Sequence, residues 1–272
     1  ERLGVAVSFP ESQSCCGQPF FNNGFNTEAR GVARGWLAAF GESDLPIVSP
    51  SASCVAMVRH HYPELFPPGS PEHALAVDLS QRTFEFTEYL THQLNITDVG
   101  ASFPHKVTYH ASCHLLREVK MRDEPKQLWK AVRGLEFVEM EEEETCCGFG
   151  GSLSVLYPGV SQAVVGHKAD HIIASQVDAV VVAEAGCLEV EQPAEAADLG
   201  VGSRPARGAH QRLDLVDHGV AGVDIDTRLR IGQSVCAGLA HCVSPSLRAC
   251  GSDRQARRAL QGVWAVLSIS HR

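Results

Sequence analysis

No stretch of about 18 uninterrupted apolar residues occurs in the 272-residue sequence, which excludes a membrane-spanning helix. Positive charge is not in excess either. The 23 lysines and arginines face 32 acidic residues, a formal charge of −9, which argues against a nucleic-acid-binding surface. A basic segment followed by an apolar one, the mark of a secretory signal, is missing. So is any glycine fingerprint of a flavin-binding turn, and no residue stands out as a catalytic base. Lysine is scarce: all five lie in residues 1–192, together with 17 of the 18 aromatics. Residues 193–272 hold ten arginines and one aromatic, Trp264. This tail can bury little apolar surface, and is expected to be either a poorly ordered appendage or the product of a reading frame shifted near Leu188 to Pro193. The chain opens at Glu1, in mid-pattern and without methionine, so its native start is expected upstream.

What remains is large enough to form a core, at 44% hydrophobic residues. Strand-like runs alternate with helical patterns. Leu3–Val7, Leu45–Val48, Lys106–His110, Leu135–Val138 and Ala179–Ala183 read as strands, the last as a fully buried parallel one. Helices are expected over Thr27–Phe40 with Thr27 as N-cap, from Ser70 to about Leu94, over Lys126–Val132, and over Pro158–Ala174. The alternation predicts an α/β fold with mainly parallel sheets.

Ten cysteines without an export signal read as metal ligands or redox groups rather than disulfides. Cys15-Cys16-Gly17 recurs as Cys146-Cys147-Gly148, 131 residues later. Each has a downstream partner: Cys54 lies 38 residues after Cys16, and Cys187 lies 40 after Cys147. Cys113 precedes Cys146 by 33 residues, and its counterpart would fall before residue 1. The chain therefore reads as two copies of one Rossmann-like module, the first (1–100) incomplete at its N-terminus and the second spanning 101–192, followed by an irregular tail, 193–272.

Thiolates delivered by loops at the carboxyl ends of separate strands suit an iron–sulfur cluster. Adjacent cysteines reach one point only where the backbone turns, and the following glycine permits that turn through a positive φ. Amides of the Gly148–Gly151 loop are placed to donate to sulfur. Zinc is the main rival, because His110, Cys113 and His114 can join the Cys-Cys pair in a tetrahedral site. The all-cysteine set repeats and the histidines do not, which favours iron–sulfur. A strained vicinal disulfide, or a thiol–disulfide enzyme acting through Cys146 and Cys147, are further alternatives. Cys236, Cys242 and Cys250 read as small buried hydrophobes, and His60 and His61 as helix-surface residues. Arg117 reads as a surface arginine paired with a glutamate, or alternatively as a fork for a substrate carboxylate. The acidic run Glu139 and Glu141–Glu144 reads as a solvated loop, or alternatively as a docking guide for a basic partner.

Four blocks, Ser14–Pro19, Pro50–Met57, Tyr109–Glu118 and Thr145–Gly151, resemble in order those of the cysteine-rich CCG family. Within it the chain most resembles the lactate utilization protein A group. The iron–sulfur subunit of glycolate oxidase and the cysteine-rich subunit of heterodisulfide reductase are more distant relatives. The resemblance covers about residues 1–188. It implies a cytoplasmic iron–sulfur electron carrier, with a 4Fe–4S cluster, that acts with B- and C-type lactate utilization proteins to oxidise L-lactate to pyruvate. It further implies Cys113, Cys146, Cys147 and Cys187 as ligands in the second module, and Cys15, Cys16 and Cys54 in the first. Where the fuller family pattern has the first cysteine of a Cys-x-x-Cys, this chain has Ser51 and Glu184.

Overall fold

The fold is described from a computed structural model covering residues 3–184 and 186–187 and the strands Val216–Asp217 and Ala265–Ile269. Among the described residues, eight strands form two four-stranded sheets. The first contains β1 (Val5–Ser8), β2 (Ile47–Ser49), β3 (Thr83–Glu85) and β8 (Ala265–Ile269), in the order β1-β8-β2-β3. The second contains β4 (Lys106–His110), β5 (Glu136–Phe137), β6 (Ala179–Val182) and β7 (Val216–Asp217), in the order β5-β4-β6-β7. All pairings in the second sheet are parallel, as is β2 with β3. β8 runs antiparallel between β1 and β2, so the first sheet is mixed. The α/β expectation holds, and two short stretches of the tail are strands. The rest of the expected irregular tail, with Cys236, Cys242 and Cys250, lies outside the described residues.

Helix α1 (Gln18–Asn22) follows the first Cys-Cys-Gly directly, and α2 (Asn26–Phe40) follows it. Ala29, Ala33, Trp36, Leu37 and Phe40 recur at helical spacing along α2, and all are buried. Thr27 is not the N-cap: that position is Phe25, without a side-chain cap, and Thr27 lies in the first turn. Beyond β2 the chain enters α3 (Ala52–Ala56), a π-helical turn (Met57–His61) and α4 (Tyr62–Leu65). Trp36 packs at a tilt against Phe40 and meets Tyr62 edge-on at 5.4 Å, at the centre of the first core. From that core the Tyr62 hydroxyl donates 2.9 Å to the Cys16 carbonyl, so core packing fixes the cysteine turn.

The single helix expected from Ser70 to Leu94 is interrupted. Ser70 caps α5 (Pro71–Gln81) by accepting from the His73 amide, with Pro71 in the first turn. Thr83–Glu85 then pairs in parallel with β2, and the chain resumes as α6 (Phe86–Glu88) and a second π-helical turn (Tyr89–Gln93). β-branched Thr83 and Glu85 both face inward, and the buried Glu85 carboxylate caps α6 in a capping box with Glu88.

In the second half, α7 (Glu124–Lys130) leads to β5, and α8 (Leu153–Leu156) and α9 (Pro158–Ala174) lie between the second Cys-Cys-Gly and β6. β6 is buried on both faces. Ala179 and Val181 pack with Val107, Tyr109 and Leu115, whereas Val180 and Val182 pack with Ile172, Cys147 and Cys187. Ala52 of α3 belongs to the core under β4 and β6, which joins the two halves of the chain. β7 lies beside β6 as β3 lies beside β2. No helix among the described residues is long and apolar enough to cross a membrane.

Candidate functional site

The two Cys-Cys-Gly segments adopt the same local geometry. Gly17 and Gly148 have φ of 81° and 86°, the left-handed turn expected of them. In each, the glycine amide donates to the first thiol of its pair: Gly17 to Cys15 at 3.4 Å, and Gly148 to Cys146 at 3.3 Å. The second thiol meets the cysteine that follows the next strand. Cys16 Sγ lies 3.3 Å from Cys54 Sγ, and Cys147 Sγ lies 3.0 Å from Cys187 Sγ. The seven cysteines among the described residues are free thiols.

Gly148 is the tighter turn. A Cβ added there would stand 2.7 Å from the Ser161 carbonyl and 2.9 Å from the Val165 amide, both backbone atoms of α9. At Gly17 the nearest atom is a Val32 methyl at 3.3 Å. Gly148→Ala is therefore expected to destabilise more than Gly17→Ala, by more than the roughly 1–2 kcal/mol of the left-handed conformation alone. Urea denaturation of the two variants checks this; equal midpoints would contradict it.

Three of these thiols, Cys16, Cys146 and Cys147, are hard to ionise before a metal arrives. Hydrogen bonding to Cys15 comes first among the influences pushing the Cys16 thiol up, followed by Cys54 and burial. The Cys146 thiol is raised by its bond to Cys147 and by burial, against the Gly148 amide and the nearby Arg117 guanidinium. At Cys147 the bond from Cys146 lowers the pKa, but the Cys187 contact and burial outweigh it. A metal must displace these protons. Convergent, buried sulfur donors with amides directed at them fit a soft metal centre. Both sulfur pairs stand closer than the roughly 3.8 Å between two thiolates on one tetrahedral metal, so binding has to spread them.

Not every expected ligand enters one group. His110, Cys147 and Cys187 are all buried, and their donor atoms lie within 4.8 Å of one another. Cys146 adjoins Cys147. Cys113 is outside that group, half-buried, with its Sγ 3.7 Å from His114 Nδ1. Cys15, exposed, flanks the Cys16–Cys54 pair. His60 is exposed as expected, whereas His61 is half-buried and stacks on Phe21 at 4.4 Å. Among the described residues no ion pair joins Arg117 to a glutamate; its charge acts on Cys146. The acidic run is tied to its own chain, Glu143 to Lys126 at 2.9 Å and Glu144 to Arg122. Glu142 faces His167 and His171.

Sequence reasoning missed the link between the two cysteine loops. Glu184 accepts the Ser51 hydroxyl at 2.8 Å through Oε1 and the Ser53 amide at 2.7 Å through Oε2. Gln18 donates to the Ser53 carbonyl at 3.1 Å and lies 3.3 Å from His114 Nε2. Ser51 and Glu184 stand three residues before Cys54 and Cys187, so equivalent positions of the two halves bond each other. Removing the carboxylate in Glu184→Ala strips the Ser53 amide of its acceptor, at an expected cost of about 1–3 kcal/mol. Unchanged urea stability in that variant would contradict the link.

Comparison with known proteins gives these features a family. The CCG cysteine-rich domain family matches residues 1–59 and 107–190. Lactate utilization protein A of Oceanobacillus iheyensis is 40% identical over 189 residues, covering 69% of this chain and 76% of that protein. The protein of the same name from Geobacillus kaustophilus is 41% identical over 208 residues, covering 76% and 82%. That from an Exiguobacterium species is 42% identical over 189 residues, covering 69% and 77%. With its duplicated Cys-Cys-Gly turns and the downstream cysteines they meet, the chain belongs to the cysteine-rich CCG-domain family, in the group of lactate utilization protein A.

Proposed function

We propose that the chain is the iron–sulfur electron-transfer component of a complex that oxidises L-lactate, a 2-hydroxy acid, to pyruvate. The observation that carries this reading is the repeated convergence of sulfur, Cys147 on Cys187 at 3.0 Å and Cys16 on Cys54 at 3.3 Å, each beside a further thiol. Cys146, Cys147 and Cys187 would hold the second-half centre, with Cys113, on the loop after β4, as the fourth thiolate by family resemblance. Cys15, Cys16 and Cys54 would hold the first. Residues 1–100 and 101–192 are the corresponding modules. Bound there, a 4Fe–4S cluster supplies a one-electron store.

The chain's own residues would set the potential and the access. The Gly148 amide reaches Cys146, the Phe149 backbone lowers the Cys147 pKa, and Cys147 and Cys187 are buried. Amide donors stabilise the more negative state of a centre, and burial opposes it. Substrate activation is left to B- and C-type lactate utilization proteins, in the cytoplasm. A second reading, a zinc-stabilised binding module, is favoured by one observation: His110 shares the group of Cys147 and Cys187.

Mixing the anaerobically purified chain with its B- and C-type partners and L-lactate tests the proposal. The expected result is lactate-dependent appearance of a paramagnetic reduced cluster on this chain. A chain that carries zinc without sulfide, or a cluster that lactate never reduces, would overturn the reading.

A further inference from the structure

His110 closes β4, where its neighbours are set by strand register: it lies opposite Val182 of β6, in the parallel ladder that carries Val107 to Ala179. Its position is therefore fixed by the sheet rather than by a loop. The side chain is buried, at 1% exposure, and neither ring nitrogen makes a hydrogen bond of full geometry. A buried imidazole in that state has lost its water and has at most a marginal backbone contact in exchange. The nearby donors are the sulfurs of Cys147 and Cys187, within 4.8 Å of the ring nitrogen and of each other.

The surroundings suit a ligand. The strand register holds the ring beside the two sulfurs, and an imidazole nitrogen is a common metal ligand. Lys168, itself fully buried, donates to the carbonyls of Glu142 at 2.7 Å and Glu143 at 3.2 Å. The Glu143 backbone in turn makes a marginal polar contact with the His110 ring. Backbone carbonyls are common orienting partners of metal-bound histidines.

We infer that His110, in the place that family resemblance gives to Cys113, supplies a nitrogen ligand to the centre formed by Cys146, Cys147 and Cys187, giving it mixed sulfur and nitrogen coordination. The inference rests on the metal-binding part of the proposed function. It extends that reading by naming a donor of a different chemical class. Replacing thiolate by neutral imidazole makes the site less negative, and so raises the potential of a cluster held there.

The test uses the full chain. In the anaerobically loaded and reduced protein, pulsed electron paramagnetic resonance is expected to show a directly coupled nitrogen that changes on labelling histidine with nitrogen-15. His110→Cys keeps a ligand at the position; it is expected to retain the iron, lose the nitrogen coupling and lower the reduction potential. Iron and sulfide present without nitrogen coupling, or coupling that survives in His110→Cys, would overturn the inference while leaving the cluster intact. If iron and sulfide do not load at all, the functional reading fails, and cobalt(II) added to the same chain still decides for His110. Cobalt d–d bands of a mixed sulfur and nitrogen shell, shifted to lower energy in His110→Cys, support the ligand. Bands identical in the two proteins overturn it.

Discussion

Cys147→Ser is expected to abolish the second-half metal centre and the share of metal and charge-transfer absorption that belongs to it, leaving the share of the first half. Cys147 is 3% exposed and stands between Cys146 and Cys187, within 4.8 Å of His110 as well. A serine hydroxyl there is a hard, weakly acidic donor in a site built for soft metals. The same substitution at Cys16 should remove the first-half centre alone, because its sulfur contact is with Cys54. Cys113→Ser should cost less than Cys147→Ser, since Cys113 lies outside the close group and touches His114. Metal content and absorption of the three variants check this order. Equal retention of metal in Cys147→Ser would remove the site from its assigned place.

The second large effect concerns stability. Glu85 is fully buried at the end of β3, where one carboxylate oxygen accepts from the Thr87 amide at 2.7 Å, the Glu88 amide and the Thr87 hydroxyl. Its other oxygen is buried without a hydrogen bond. Burial raises its pKa from 4.5 to about 7, against the lowering effect of these donors. A raised carboxyl pKa means that the folded state binds the proton more tightly than the unfolded chain. Stability therefore falls as pH rises from about 4.5 to about 7, and the full penalty applies above that. That rise in pKa corresponds to on the order of 3 kcal/mol. Glu85→Gln keeps an accepting oxygen but cannot ionise. Its amide leaves a buried donor, so near pH 4.5 it should be slightly less stable than the parent chain. By pH 8 the balance should shift in its favour by on the order of 3 kcal/mol relative to pH 4.5. Parallel urea titrations of the metal-free proteins at the two pH values measure that swing. Identical pH dependence would show that Glu85 ionises freely in the fold.

Much of this architecture was legible in the residues. The apolar spacing of Ala29, Ala33, Trp36 and Phe40 marks α2, and the β-branched run at Ala179–Val182 marks a strand buried on both faces. The repeat of Cys-Cys-Gly with a later cysteine announced the pairing of Cys16 with Cys54 and of Cys147 with Cys187. The break at Thr83 was hidden because Thr83–Glu85 carries only three residues of strand pattern inside a helical one; pairing with β2 outweighs local propensity there.

The site was readable in its sulfur and less so in its other donors. His110 looked like one of several histidines near Cys113, and only the register of β4 against β6 sets it apart from His114. The bond between Ser51 and Glu184 was invisible in sequence for a similar reason. Each reads as a lost cysteine within its own half, and their contact exists only when the halves meet. Lys168 is a long charged residue inside α9, where the apolar pattern gives no hint that its ammonium ends on the carbonyls before Cys146.

Iron and acid-labile sulfide, counted per polypeptide in protein purified without oxygen, test the central claim most directly. Convergent thiols of this kind should yield both elements in near-equal amounts, with at least one centre per chain. Zinc in their place, or a chain free of metal with all its thiols titratable, would contradict it.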